Sequence, residues 1–211
     1  MAKSYDQYCS VAAALDVIGE RWSLLILRDL LDGPKRYTDL QRSLTGIAPN
    51  LLADRLRDLQ AAGVIEKREL PPPAARTVFA LTRDGRGLEP VFVALSRWGI
   101  HRLGPLAEDD EVPPAIAMMS GLMAYAEPPE ALAAAERRWT VHLGERAFPV
   151  RLARGRVRFE AAPSEEPDAD VRLDPRALIE LRRGEVDDVA IDVVDGTADA
   201  VDELREVFAL P

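Results

Sequence analysis

Apolar side chains in the first sixty residues recur every three or four positions, the spacing that places them on one face of a helix. Four such blocks follow one another, and each ends at a glycine or a short turn-forming run, which favours four short helices. We expect Thr38 to cap the third helix and Pro49 to lie in the first turn of the fourth. The apolar positions are Val11, Leu15 and Ile18; Trp22, Leu25, Ile26 and Leu30; Tyr37, Leu40 and Leu44; and Leu52, Leu56 and Leu59.

The pattern changes after Gly63. Residues 64–70 and 77–81 have the character of strands, and the prolines between them cannot pair in a sheet, so we expect a hairpin. A last helix is predicted over residues 83–103, with Pro90 either kinking it or delaying its start. Helices followed by a hairpin and a further helix are typical of a winged helix-turn-helix domain.

The second half predicts a smaller α+β domain with an antiparallel sheet, so the whole chain is of the α+β class. Its clearest signal is a hairpin between residues 139–143 and 148–152. The remaining predicted elements are a helix through Ile116 and Met123, strands near residues 156–159, 170–173 and 189–194, a helix through Leu178 and Leu181 that ends at Gly184, and a last helix through Leu204 and Phe208.

An acidic cluster bracketed by prolines, residues 105–112, is the predicted linker, because proline cannot continue a helix. It would separate a domain of residues 1–104 from a domain of residues 113–211. A second stretch rich in proline and acid, residues 163–168, is predicted to be a loop inside the second domain.

The net charge of −9 is unevenly distributed, and this distribution bears on the partner. Residues 1–104 carry 15 Lys+Arg against 12 Asp+Glu, whereas residues 105–211 carry 12 against 24. The second half would repel phosphate, so any contact with DNA is expected within the first hundred residues.

Several kinds of chemistry are excluded by composition. With one cysteine, Cys9, and two histidines, His101 and His142, no internal disulfide and no zinc-type ligand cluster is expected. No nucleophile and base pair or glycine-rich phosphate loop is evident, so we expect neither a cofactor nor enzymatic activity. No apolar run approaches the length of a membrane span, and a cytoplasmic protein without membrane contact is expected.

The fourth predicted helix has the features of a DNA-reading helix. With its leucines turned inward, Asn50, Asp54 and Arg55 lie outside and Arg57 at the flank. Arginine and asparagine can form paired hydrogen bonds with guanine and adenine edges, so Arg55 and Asn50 are the predicted base readers. An ordinary surface helix, in which Arg55 and Arg57 pair with Asp54 and Asp58, is the alternative.

Further side chains are candidates for contact with the phosphate backbone, which positions a protein on DNA without reading its sequence. Each of them alone is also compatible with a plain solvated surface. The phosphate candidates around the fourth helix are Lys35, Arg36, Tyr37, Arg42 and Arg76, and Pro49 at the start of that helix is a further residue predicted to contact DNA.

Residues 9–30 resemble the opening of HxlR-type winged-helix regulators, and residues 36–40, 46–47, 52–59, 63–65 and 81–86 extend the resemblance over about residues 8–100. The resemblance implies a homodimer, paired through the first and last helices of this domain, that binds a palindromic operator on double-stranded DNA, usually as a repressor. These regulators often have a basic residue where this chain has Asn50 and a serine where it has Ala48, which implies a weaker grip on phosphate here.

Some of these regulators sense oxidants through an N-terminal cysteine at the place of Cys9. A lone thiol can form only a disulfide between subunits or a mixed disulfide, and it needs a lowered pKa to react. A buried, inert cysteine that packs the first helix is the alternative.

Residues 169–174, together with Gly184 and residues 207–211, resemble sterol-carrier-protein-2-like domains. That resemblance implies an apolar cavity for a lipid-like effector, although a methionine stripe at helical spacing is more often plain core. The side chains that would line such a cavity are Met118, Met119, Leu122, Met123, Trp139 and Phe159.

The sequence therefore predicts a sequence-specific DNA-binding regulator, a homodimeric repressor whose C-terminal domain responds to an apolar small molecule. The first alternative is a module that binds a lipid or small hydrophobe and whose winged helix mediates protein contacts. The second alternative is an enzyme that uses the C-terminal cavity.

Overall fold

The computed structural model describes residues 4–70, 76–107, 110, 112–123, 132, 134–160, 164, 166–183 and 189–208, with the backbone alone for 119–123 and 182. The chain divides into two compact units, Met1–Glu89 and Pro90–Pro211. The stretch predicted as a linker, residues 105–112, falls within the second unit, and its role as a linker stays a prediction.

The first unit contains the predicted order of short helices followed by a hairpin, and its leucine stripe is buried. Leu52, Leu56 and Leu59 all face the interior. Its elements are α1 (Ser10–Ile18), α2 (Ser23–Leu31), α3 (Tyr37–Ser43), α4 (Pro49–Ala61), β1 (Ile65–Glu69), β2 (Thr77–Leu81) and α5 (Arg83–Arg86).

The ends of α4 are those that its sequence predicts. Pro49 occupies the first helical position after Ala48, where its missing N–H leaves no hydrogen bond unmade. Beyond the last turn, Gly63 adopts a φ of +75°, a left-handed conformation that glycine reaches at little cost and that turns the chain into β1. Sequence therefore determines both where this helix starts and where it stops.

The start of α3 differs from the prediction. Arg36, and not Thr38, is the N-cap, and Thr38 lies inside the first helical turn. Asp39 explains the shift, because its Oδ2 accepts a hydrogen bond from the Arg36 backbone N–H at 3.2 Å. A carboxylate at the third helical position satisfies a donor at the helix start, and its charge is favourable beside the positive end of the helix dipole.

Strands β1 and β2 form the predicted antiparallel hairpin, with Ile65 opposite Leu81 at its base. The segment before α3 joins this hairpin through backbone hydrogen bonds. The Lys35 N–H donates to the Phe79 carbonyl at 3.0 Å, and the Phe79 N–H donates to the Lys35 carbonyl at 2.7 Å. The prolines between the two strands, residues 71–73, lie outside the described residues.

Pro90 delays the start of a helix, as the sequence predicts. After α5, a separate helix α6 runs over Glu89–Ile100, and Pro90 lies in its first turn. Phe92 and Ile100 are its buried side chains. Three further large apolar side chains of α6, at Val91, Leu95 and Trp98, are exposed.

The second unit combines helices with one five-stranded sheet, which confirms the α+β class. The sheet order is β5-β4-β3-β6-β7. Its elements are α6 together with α7 (Pro114–Met123), β3 (Arg137–Leu143), β4 (Arg146–Ala153), β5 (Arg156–Phe159), β6 (Ala169–Leu173), α8 (Pro175–Arg182), β7 (Asp192–Gly196) and α9 (Ala198–Phe208).

Two details of this sheet were not in the sequence pattern. All neighbouring strands pair antiparallel except β3 and β6, which run parallel because the chain crosses from β5 back to the other side of β3. The last strand begins at Asp192 rather than near Val189, because Val189 is buried in the core whereas Val193 and Val194 are exposed on the edge strand.

The core of the second unit joins the sheet to α7, α8 and α9. Trp139 is fully buried there, and its Nε1–H donates to the Ala200 carbonyl at 2.8 Å, so the indole fills space without leaving a polar atom unsatisfied. From α8, the Arg176 guanidinium donates to the Leu106 and Ala107 carbonyls at 3.2 and 2.7 Å. These hydrogen bonds fix part of the 105–112 stretch against α8.

Candidate nucleic-acid interface

The start of α4 is held in place by α3. The Tyr37 hydroxyl donates to the Pro49 carbonyl at 2.8 Å, which joins the first residue of α3 to the first residue of α4. Two residues predicted to contact DNA are therefore joined directly, through the side chain of one and the backbone of the other. Through this hydrogen bond Tyr37 holds the start of α4 in place.

The outer face of α4 carries polar side chains at helical spacing. Asn50, Asp54, Arg57 and Asp58 are all exposed, opposite the buried leucines. Asn50 forms no side-chain hydrogen bond among the residues that the structure describes. Its amide therefore retains both donor and acceptor groups, which the paired contact with an adenine edge requires.

Arg55 is in a different state from Asn50. Its guanidinium donates to Asp58 Oδ2 at 2.7 Å and to Glu20 Oε2 at 3.1 Å, and its side chain is 18% exposed. Glu20 lies in the turn between α1 and α2, so Arg55 ties α4 to a distant part of the unit. Such partly exposed pairs typically contribute about 0–1 kcal/mol, so a phosphate or base could replace these carboxylates at modest cost.

Arg57 pairs with Asp54 at 2.9 Å, and both side chains are largely exposed. The pairs that the alternative interpretation of α4 requires, Arg55 with Asp58 and Arg57 with Asp54, are thus both present. They do not exclude contact with DNA, because exposed ion pairs exchange readily. The reading roles of Arg55 and Asn50 stay predictions.

The candidate phosphate contacts fall into two groups. Lys35 forms an ion pair with Asp32, and its side chain is partly buried, so its ammonium group is already neutralised. Arg36, Arg42 and Arg76 are exposed and have no ion-pair partner among the residues that the structure describes. These three arginines are the better candidates.

The hairpin adds two cationic residues that sequence reasoning missed. Lys67 and Arg68 are exposed on β1, where Arg68 Nε donates to Glu66 at 2.6 Å. The sequence signal for them was that Ile65 is the one strongly apolar residue of β1, so the other side chains of this strand face solvent or a partner. Basic side chains on a wing can contact the phosphate backbone beside the reading helix.

Cys9 is exposed and stands at the N-cap of α1, so the prediction of a buried cysteine that packs the first helix is wrong. The backbone N–H groups of Ala12 and Val11 lower the pKa of its thiol, because they stabilise the thiolate. A thiolate at a helix N-terminus is the reactive form of cysteine. Whether it senses oxidants stays a prediction.

The candidate ligand residues of the second unit belong largely to its core. Met118 and Trp139 are fully buried, and Phe159 packs against the same core at partial exposure. The side chains of Met119, Leu122 and Met123 lie outside the described parts. A pocket of about 590 Å³ includes Phe159 but is otherwise lined mainly by charged residues, so it differs from the apolar cavity predicted from sequence.

Within the residues that the structure describes, no helix has the length and apolarity needed to cross a membrane. The same residues contain no group of three His, Cys, Asp or Glu side chains placed to hold a metal ion.

The buried leucines of α4, its exposed outer face and the adjoining hairpin define the first unit as a winged helix-turn-helix. Comparison with known proteins agrees, since the family described as HxlR-like helix-turn-helix matches residues 17–106. The chain belongs to the HxlR-like helix-turn-helix family.

Two relatives from Bacillus subtilis illustrate the similarity. The HTH-type transcriptional regulator YodB is 33% identical over 86 residues, which are 41% of this chain and 77% of YodB. The uncharacterized HTH-type transcriptional regulator YtcD is 35% identical over 103 residues, 47% of this chain and 79% of YtcD. The solved reduced form of the transcriptional regulator YodB covers 48% of this chain and 100% of its own at 29% identity, with a TM-score of 0.41.

Proposed function

We propose that this protein is a sequence-specific DNA-binding transcriptional regulator that acts as a homodimeric repressor on a palindromic operator. The observation that carries the proposal is the arrangement of α4, whose leucines are buried while Asn50 stands exposed at a start anchored by Tyr37. The names of the relatives, HTH-type transcriptional regulators, support the same conclusion.

In this proposal α4 lies in the major groove and reads base edges near its N-terminal end. Arg36, Arg42 and Arg76 contact phosphates and set the orientation, and Lys67 and Arg68 extend this contact along the wing. The acidic second half stays away from the duplex, because its excess of carboxylates repels phosphate.

Exposed apolar side chains support the homodimer. On α1, Val11 and Leu15 are exposed, and on α6 the same holds for Val91, Leu95 and Trp98. Apolar side chains grouped on one element mark an interaction surface more often than a free one. We propose that both helices pair with a second copy of this chain.

The proposed function is tested by fluorescence anisotropy on labelled DNA from upstream of the gene and on a scrambled duplex of equal length. We expect tighter binding to the natural duplex, with an affinity that falls steeply as salt rises because counterions are released. Equal, weak and salt-independent binding to both would instead favour the module that binds small hydrophobes.

Asn50→Ala is expected to weaken binding to the natural duplex by about 1–3 kcal/mol, because one paired contact with a base edge is lost. Binding to the scrambled duplex should change little. Folding should be unaffected, since Asn50 is exposed and alanine favours the helix.

Gln60→Ala is the matched control for this prediction. Gln60 is exposed near the other end of α4 and also has an amide side chain. Its removal should leave specific binding unchanged. Equal losses in the two variants would show that the start of α4 does not read bases. Arg55→Ala is a less direct test, because it also removes the contact with Glu20.

We expect the Cys9 thiol to react with iodoacetamide at lower pH than an ordinary cysteine. The thiolate is the nucleophile, so a lowered pKa moves the midpoint of the rate against pH downward. The same chain unfolded in urea is the control, because Cys9 is its single cysteine. Identical midpoints in both states would contradict the proposed activation by the α1 backbone.

We also propose that the second unit binds a small molecule that weakens operator binding. A hundredfold effect needs a preference of about 2.7 kcal/mol for the non-binding state, which a single small ligand can supply. The apolar cavity around Met118 and Trp139 stays a prediction, to be tested by thermal shift with fatty acids of increasing length.

A further inference from the structure

The second half of the chain has an unusual basic composition. After residue 105 all twelve basic residues are arginines, although acidic residues outnumber them twofold. Four of these arginines, at 151, 154, 156 and 158, fall within eight positions of one hairpin. Arginine binds carboxylate and phosphate groups through a planar fork, which lysine cannot offer.

The sheet register brings these arginines together. Arg151 on β4 lies opposite Arg158 on β5 and also opposite Arg138 on β3. Their β4 neighbours Val150 and Leu152 are buried, so strand alternation places the arginines on the face away from the core. Like charges directly opposite each other destabilise a sheet, so negative charge beside this row of arginines would stabilise it.

Carboxylates of the described residues reach only part of this row. Glu160 lies 3.8 Å from Arg151 and 3.9 Å from Arg138, and Glu136 lies 3.9 Å from Arg151. In the described part of the chain, Arg154, Arg156 and Arg158 have no ion-pair partner. Three guanidinium groups of one hairpin are thus available to an anion.

The turn of this hairpin is strained at one of these arginines. Strands β4 and β5 are joined by Arg154 and Gly155, with φ of +51° and +64°. Both angles are typical of a two-residue hairpin turn that prefers asparagine followed by glycine. An arginine in the left-handed region costs stability, and such strain is found preferentially at ligand sites.

These side chains line a surface pocket of about 590 Å³, within the size range of small-molecule sites. Phe159 also lines it, but its ring lies on the core side of the sheet, with its centroid 6.2 Å from that of Phe148. The remaining lining residues are Glu136, Arg151, Ala153, Arg154, Arg156, Arg158 and Glu160.

We propose that this pocket binds a small anion, with a phosphate or carboxylate group held by Arg154, Arg156 and Arg158. DNA fits the site less well, because Glu136 and Glu160 line it and the surrounding half of the chain is strongly acidic. The site is independent of the DNA-binding function proposed above.

The test is isothermal titration of the full chain with phenyl phosphate, benzoate, inorganic phosphate and benzyl alcohol. We expect inorganic phosphate to bind within about tenfold of phenyl phosphate, because the guanidinium groups hold the anionic head group alone, and we expect benzyl alcohol, which is uncharged, not to bind. The stronger of the two aromatic anions identifies the head group. No heat from either up to about 10 mM would overturn the proposal.

Arg156→Ala and Arg158→Ala should each weaken binding of the preferred probe at least about tenfold. Arg172→Ala is the matched control, because Arg172 is exposed on β6 of the same sheet and does not line the pocket. This substitution changes the net charge by the same amount. An equal loss with Arg172→Ala would indicate a general effect of charge and overturn the site.

Arg154→Asn separates binding from folding. Asparagine tolerates the left-handed region, so this variant should raise the melting temperature while it weakens binding of the probe. A rise in melting temperature without loss of affinity would remove Arg154 from the site. If Arg156→Ala and Arg158→Ala leave probe binding intact but weaken binding to duplex DNA, the hairpin contacts nucleic acid and the proposal fails.

Discussion

Trp98→Asp is expected to convert the protein from a dimer to a monomer. Operator binding should then weaken by about 10²–10⁴-fold, because only a dimer holds a second reading helix next to the second half-site. Trp98 is 62% exposed on α6, and the Arg102 guanidinium lies 3.4 Å from the ring centroid. A charge on this surface cannot be buried against a second copy without a large desolvation cost.

Light scattering coupled to size exclusion measures the first effect, and anisotropy on the natural duplex measures the second. Val193→Asp is the matched control, because Val193 is similarly exposed but lies on the edge strand β7. It should remain dimeric and bind DNA. A Trp98→Asp protein that stays dimeric would contradict pairing through α6, and a monomeric wild type would refute the homodimer itself.

Leu56→Ala is expected to destabilise the first unit by about 2–5 kcal/mol, the range found when a buried leucine is truncated and a cavity remains. Leu56 is 2% exposed and lies between Leu52 and Leu59 in the buried stripe of α4. The affinity for DNA should fall with it, because a helix that packs poorly does not hold Asn50 in one place.

Native-state hydrogen exchange of the α4 amides measures this effect without assuming that the two units unfold together. Arg57→Ala is the control on the same helix, since its side chain is 71% exposed, and it should change protection by no more than about 0.5 kcal/mol. A cost below about 1 kcal/mol for Leu56→Ala would mean that the leucine stripe is not the core of this unit.

Local sequence was sufficient for most of the elements. In α4 the leucine spacing determines which face is buried, Pro49 determines where the helix starts and Gly63 determines where it ends. All three signals come from single residues and their near neighbours in the chain. For the same reason Pro90 delays α6, and the hairpin of β3 and β4 forms at the predicted position. The N-cap of α3 was misplaced because Asp39 outweighs Thr38 as a partner for the first free donor.

The position of the candidate residues outside the leucine stripe of α4 was predictable from the sequence, but their hydrogen-bond and ion-pair partners were not. The sequence indicated that Asn50 and Arg55 both face outward, and both lie off the buried stripe. It did not indicate that Arg55 contacts Glu20, 35 positions away, or that Lys35 is neutralised by a neighbouring carboxylate. Rotamers and ion pairs depend on which elements pack together, and periodicity carries no information about that.

The sequence by itself determined the helices, the hairpins and the division of charge between the halves, because propensity, periodicity and turn chemistry act over a few residues. Only the tertiary structure decided which apolar faces of α1 and α6 stay exposed, that β3 pairs parallel with β6, and that Arg138, Arg151 and Arg158 share one row of a sheet. Each of these depends on contacts between residues far apart in the chain, where the free energy of packing selects one register among many.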